Sequence, residues 1–257
     1  MRRGLTVFVL IALALSLAPE ASAQDVERGK EVYTSRCVIC HGDNGDGMGL
    51  VGIVHRAQAN GLVTTIYPRD FTAGVFKFRS TPSGTLPTDD DLLRIITEGI
   101  SRSGMPSHTD LPEADRLNVI SFIKTFSQRW ETDEPGEALA IGDAPSYVGS
   151  PESTTRGVEV YATMQCFQCH GETGVGDGPA SETLADSWGD RIVAFDFTSG
   201  PLKGGSSAEM IYRTFMTGLD GTPMPSYEPA MTEEQDRWDL VSYCLELMRG
   251  APATQQD

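Results

Sequence analysis

Cys37-Val38-Ile39-Cys40-His41 and Cys166-Phe167-Gln168-Cys169-His170 are two copies of one C-x-x-C-H pattern in a chain of 257 residues. In such an attachment site both thiols add to the vinyl groups of a haem, and the adjacent histidine becomes the proximal iron ligand. The spacing is a stereochemical requirement, because two thioether bonds and one axial nitrogen must reach a single rigid ring. A bare C-x-x-C also serves redox dithiols and half-sites for zinc. Here each pair carries the trailing histidine, and the motif occurs twice in matching surroundings. The reading is therefore two covalently bound haem c groups, held by Cys37, Cys40 and His41 and by Cys166, Cys169 and His170.

The halves agree well beyond these motifs. Arg28-Gly29-Lys30-Glu31-Val32-Tyr33 matches Arg156-Gly157-Val158-Glu159-Val160-Tyr161. A glycine-rich acidic loop follows each histidine, and Asp70-Phe71-Thr72 recurs as Asp196-Phe197-Thr198. Arg94, Gly99, Met105-Pro106-Ser107 and Asp115-Arg116 meet Arg213, Gly218, Met224-Pro225-Ser226 and Asp236-Arg237, with six residues from glycine to methionine in both halves. Such agreement marks a duplicated domain.

Each half reads as helical and loop-rich, with weak strand signals. Residues 26–37 and 155–166 place a glycine and an aromatic four residues apart, on one helix face. Residues 90–98 and 208–217 predict a second helix, each closed by a C-cap glycine. The third starts after Pro112 or Thr232 and runs to about 127 or 248; Thr232 and Gln235 suggest a capping box. Leu117, Ile120, Phe122 and Ile123, and Trp238, Val241, Tyr243 and Cys244, are its expected core face. Residues 131–152, rich in Glu, Asp, Pro, Gly and Ser, predict an extended linker. Its apolar Ala138-Leu139-Ala140-Ile141 is expected to lie against one domain. The chain thus divides into a leader (1–23), a first domain (24–130), the linker, a second domain (153–250) and a tail (251–257).

This order of helix, haem motif, long loop, short helix, methionine loop and closing helix resembles class I cytochrome c over nearly the whole mature chain. The resemblance implies an all-α fold of two tandem cytochrome c-like domains, each with a covalent haem. It implies that the first and last helices cross at Gly29 and Tyr33, and at Gly157 and Tyr161. It also implies that Met105 and Met224 are distal iron ligands, opposite His41 and His170. A proline after each methionine stiffens the loop. The plainer role for a methionine is to fill a core gap, which is the expectation for Met48, Met164, Met210, Met216, Met231 and Met248. His108 and His55 are competing ligands for the first haem, without counterparts in the second half. Lys77, Arg79, Arg94, Lys203 and Arg213 are candidate partners of the haem propionates, and Trp188 offers its N–H.

Arg2 and Arg3, an apolar run at residues 5–17 and Ala21-Ser22-Ala23 read as a secretory signal cleaved before Gln24. An apolar stretch of about 13 residues is short for a membrane span. The expectation is a periplasmic protein with no transmembrane segment after cleavage. With 36 acidic against 20 basic residues, the formal charge is −16. That surface repels nucleic acid and steers partners with basic patches. Cys244 is left over after the haem motifs take four cysteines, and it reads as a buried small hydrophobe.

A haem between histidine and methionine has no open iron position, and its soft thioether favours the ferrous state. The leading expectation is a carrier of single electrons between periplasmic redox proteins, such as an oxidoreductase and a terminal oxidase. Phe76-Lys77-Phe78-Arg79-Ser80-Thr81 with Gly104-Met105-Pro106-Ser107 resembles cytochrome subunits of respiratory molybdenum or copper enzymes. A haem subunit permanently bound to a respiratory oxidoreductase is therefore the nearest alternative. A dihaem enzyme, such as a peroxidase or thiosulfate-oxidising cytochrome, is the other. It would need an open or unusual distal position, and Cys244 aligns with core Ile123 rather than with a methionine.

Overall fold

Each repeat folds around a crossing of its first and last helices. The computed structural model describes residues 25–57, 63–134 and 136–250; the expected leader and tail lie outside the described residues. The first repeat contains α1 (Val26–Arg36), α2 (Val38–His41), the antiparallel pair β1 (Val54–Ala57) and β2 (Val63–Ile66), α3 (Asp89–Glu98) and α4 (Glu113–Lys124), followed by α5 (Arg129–Thr132). The second contains α6 (Pro151–Thr163), α7 (Phe167–His170), α8 (Ala208–Thr217) and α9 (Glu234–Arg249).

Local chemistry starts these helices where the chain allows it. Asp25 caps α1 by accepting from the Arg28 N–H at 3.0 Å, satisfying a donor that the first turn leaves unpaired. Ser150 does the same for α6 through the Ser153 N–H, with Pro151 at the first helical position. The crossings need glycine. A Cβ on Gly29 would run into the Asn118 carbonyl of α4, and one on Gly157 into the Asp239 carbonyl of α9. Buried beside them, Tyr33 and Tyr161 donate their hydroxyls at 2.7 Å to the carbonyls of Gly42 and Gly171, the residues after each haem histidine. One side chain thus ties the helix crossing to the haem motif in both repeats.

The first core gathers Val32, Phe71, Phe76, Ile96, Val119 and Ile120. The second gathers Val160, Phe197, Phe215, Met216, Trp238 and Val241, and Cys244 is buried within it as expected. Met216 and Met231 are core residues, but Met48 is 71% exposed and is not a packing residue.

Some expectations are corrected. The strand pair β1–β2 interrupts an otherwise helical chain: alternation over four residues gives little signal before pairing. The capping box lies on α3, where Thr88 and Asp91 satisfy each other's backbone N–H groups. At α9 the N-cap is Glu233 and has no side-chain cap bond; Gln235 instead donates to Asp239. The extended segment after α5 touches both domains. The Leu139 N–H donates to the Ser80 carbonyl at 2.8 Å, while Leu139, Ile141, Ala144, Tyr147 and Val148 pack on the second core.

Candidate haem-binding sites

The C-x-x-C-H motifs form one-turn helices, α2 and α7. The His41 N–H donates to the Cys37 carbonyl at 2.9 Å, and the His170 N–H to that of Cys166 at 3.0 Å. One helical turn puts the first cysteine and the histidine on the same face, with the second cysteine alongside. The following loops repeat in detail. The Gly47 N–H donates to the His41 carbonyl at 2.9 Å and the Gly176 N–H to that of His170 at 2.8 Å.

Both histidines are oriented by a backbone carbonyl. Nδ1 of His41 lies 3.0 Å from the Arg69 carbonyl, and Nδ1 of His170 lies 3.0 Å from the Phe195 carbonyl. A carbonyl can only accept, so Nδ1 carries the proton and Nε2 keeps its lone pair for a metal. Burial pushes both imidazoles below their ordinary pKa, favouring this neutral form. Phe71 stacks on His41 at 4.5 Å between ring centroids, and Phe197 tilts over His170 at 5.0 Å.

Sequence reasoning missed the two carbonyls, although the repeated Asp-Phe-Thr triplet marked their place. Asp70 accepts from the Thr72 N–H and hydroxyl at 2.8 and 2.6 Å; Asp196 does so from Thr198 at 2.8 and 2.7 Å. Each aspartate turn fixes the backbone just after the carbonyl that holds the histidine.

In the second repeat, Cys166, Cys169, His170 and Met224 line one cavity of about 620 Å³, walled by Phe195, Ile211, Phe215 and Leu240. That volume lies within the roughly 300–1,000 Å³ of small-molecule and cofactor sites. In the first repeat, Cys37 and Met105 pack against the same buried cluster. The methionine loops match: the Ile100 N–H donates to the Met105 carbonyl at 2.8 Å, and the Leu219 N–H to that of Met224 at 3.1 Å. Of the competitors, His55 is exposed on β1 with Nδ1 3.2 Å from the Thr65 hydroxyl, whereas His108 is buried. Burial raises the Cys37 and Cys166 thiols to about 11, which disfavours the thiolate that dithiol chemistry needs.

The polar groups also fit a haem. Lys77, Lys203 and Trp188 border the cavity. Arg94 and Arg213 meet at a small pocket between the repeats, also lined by Lys77. The buried Nε atoms of Arg94 and Arg213 and Nε1 of Trp130 have no hydrogen-bond partner among the described residues. Buried donors left this way are costly and call for acceptors; propionate carboxylates are of that kind. Arg79 is the exception. Its fully buried side chain donates to the carbonyls of Phe76, Pro82 and Thr217 and to Asp220. These bonds occupy its guanidinium, so it is not a propionate partner.

Residues 24–123 match the family described as cytochrome c oxidase, cbb3-type, subunit III, and residues 154–247 match the cytochrome c family. A chain of the Kuenenia stuttgartiensis reducing HAO-like protein complex is 38% identical, with a TM-score of 0.77 over 87% of this chain and 96% of that one. The chain is a dihaem c-type cytochrome. Its two domains imply two covalent haem c groups, with Cys37/Cys40 and Cys166/Cys169 placed as attachment sites, and electron transfer as the chemistry. No helix of this cytochrome among the described residues is long and apolar enough to cross a membrane.

Proposed function

We propose that this cytochrome is an exported, periplasmic electron relay whose haems are both ligated by histidine and methionine. His41 and Met105 serve the first domain (24–130), and His170 and Met224 the second (153–250). The observation that carries this reading is the duplication of a whole ligand apparatus. Twice, a partly buried histidine is fixed through Nδ1 by a backbone carbonyl, and twice a methionine closes a turn after the short helix. A haem bound this way supplies reversible one-electron chemistry without an open iron position. The protein's share is to hold Nε2 and the thioether in place and to surround the ring with apolar side chains. Such a site passes electrons and does not turn over substrate, which weighs against a peroxidase or thiosulfate-oxidising activity.

Its partner is an oxidoreductase. The likeness to a chain of an HAO-like protein complex supports a haem subunit or dedicated carrier of such an enzyme. The formal charge of −16 suits a partner with a basic docking patch. Met224→Ala tests the ligand set. It is expected to abolish the near-infrared band of methionine–iron ligation for one haem and to lower that haem's potential. Unchanged spectra and potentials would remove Met224 from the iron.

A further inference from the structure

The turn that carries each methionine also reaches into the other domain. Arg102 lies in the 3₁₀ turn Ser101–Ser103, closed by bonds from the Ser103 N–H to the Ile100 carbonyl and from the Ile100 N–H to the Met105 carbonyl, both 2.8 Å. Its guanidinium donates to the Ser199 carbonyl at 2.6 Å and to the Ser199 hydroxyl at 3.0 Å. It also sits 5.1 Å from the Phe195 ring centroid, in cation–π range. Phe195 supplies the carbonyl that orients His170, and Ser199 ends the turn whose Phe197 faces the His170 ring. An arginine from the first methionine loop therefore grips both ends of the segment holding the second haem histidine.

The opposite contact is made by Asp220, in the turn that closes on Met224. Its Oδ1 accepts from Arg79 at 2.9 Å and from the Ser83 hydroxyl at 2.7 Å, and its Oδ2 from the Gly84 N–H at 2.8 Å. Arg79 also donates to the Thr217 carbonyl at 2.8 Å, the last residue of α8. There a buried cation complements the negative end of the helix that leads into the Met224 loop. The repeat equivalent of Asp220 is Ser101, and that of Arg102 is Gly221. The two braces are thus built from different residues at neighbouring positions of the same turn, one cationic and one anionic.

We propose that the two ligand loops are cross-braced, each held by the opposite domain, with Arg102 and Asp220 as positioning residues for the second haem. This rests on His170 and Met224 being its iron ligands. Arg102 fixes the proximal side through the 195–199 segment. Asp220 fixes the distal side by holding the Met224 turn on the first domain. The domains are then one redox unit, because loosening the first domain's methionine loop disturbs the second domain's histidine.

The test is amide hydrogen exchange together with a two-step redox titration of the full-length dihaem protein. In Arg102→Ala, amides at 195–199 are expected to exchange about tenfold faster, since bonds to a charged donor are lost. The midpoint and paramagnetic NMR signature of the second haem are expected to move, although the substitution lies in the other domain. Arg102→Lys keeps the charge without the fork and recovers the signature in part. In Asp220→Asn, amides at 219–224 lose protection and the methionine–iron band of the second haem weakens. An Arg102→Ala protein with unchanged exchange at 195–199 would overturn the brace. Faster exchange with an unmoved haem signature would overturn the positioning role. Failure of the ligand reading is separable: Met224→Ala would then leave the iron spectra unchanged, while exchange in Arg102→Ala still reports on the brace.

Discussion

At the scale of single residues, the two repeats solve the same helix crossing with different chemistry. Where α1 meets α4, Asn118 accepts from the Asp25 N–H at 2.9 Å. The corresponding residue under α6 is Asp239, fully buried and bonded to Ser153 at 2.5 Å, to Arg156 at 2.6 and 2.9 Å and to Gln235 at 3.1 Å. Burial alone pushes that carboxyl up, but the donors from Arg156, Ser153 and Gln235 outweigh it and hold the pKa below the ordinary value. A depressed folded-state pKa adds stability above the unfolded value, about 3.9, and that stability is lost as pH falls through the folded value. The second domain should therefore lose stability from this site as pH falls below about 4, with the half-exposed Arg156 partly screened. Asp239→Asn should remove that slope, and denaturant unfolding at several pH values checks it. An unchanged slope would place the acid sensitivity elsewhere. The haem cysteines and histidines were legible at this scale because covalent chemistry sets their spacing. The carbonyls of Arg69 and Phe195 were not, since a backbone acceptor leaves no trace in residue identity.

At the scale of elements, helices with a strong apolar period and a capping glycine were legible to within a few residues. The short strands β1 and β2 were not, because their stability comes from pairing rather than from local pattern. The cap of α3 is formed by Thr88 and Asp91, three residues apart as a capping box requires. Asp91 is buried, and besides the Thr88 N–H it accepts from the Ser80 N–H and hydroxyl, both at 2.8 Å. The same Ser80 takes the Leu139 N–H through its carbonyl. One helix start thus organises the loop before it and the segment between domains. Thr88→Ala should cost about 1 kcal/mol, as lost caps do. Asp91→Ala should cost more, because it also leaves the buried Ser80 N–H without its acceptor. Chemical unfolding of the two variants checks the order, and equal effects would contradict it.

At the scale of the whole molecule, duplication was legible because matched motifs recur at matched intervals. The docking of the halves was not. Arg79 and Asp220 stand 141 positions apart, and nothing local in either marks a partner, so Arg79 read as a propionate ligand. The same limit applies to Arg102 and Ser199. The assembled molecule concentrates cations at the junction of two domains in a chain whose net charge is −16. Those cations suit the carboxylates of haem propionates, and they lie where the two haem domains of the proposed relay meet. The most direct test of that relay is a potentiometric titration of the intact protein followed by near-infrared magnetic circular dichroism. Two one-electron steps are expected, with both ferric haems low-spin and both carrying the methionine–iron signature. A high-spin or open-coordinate haem in either domain, accompanied by turnover of hydrogen peroxide, would contradict it.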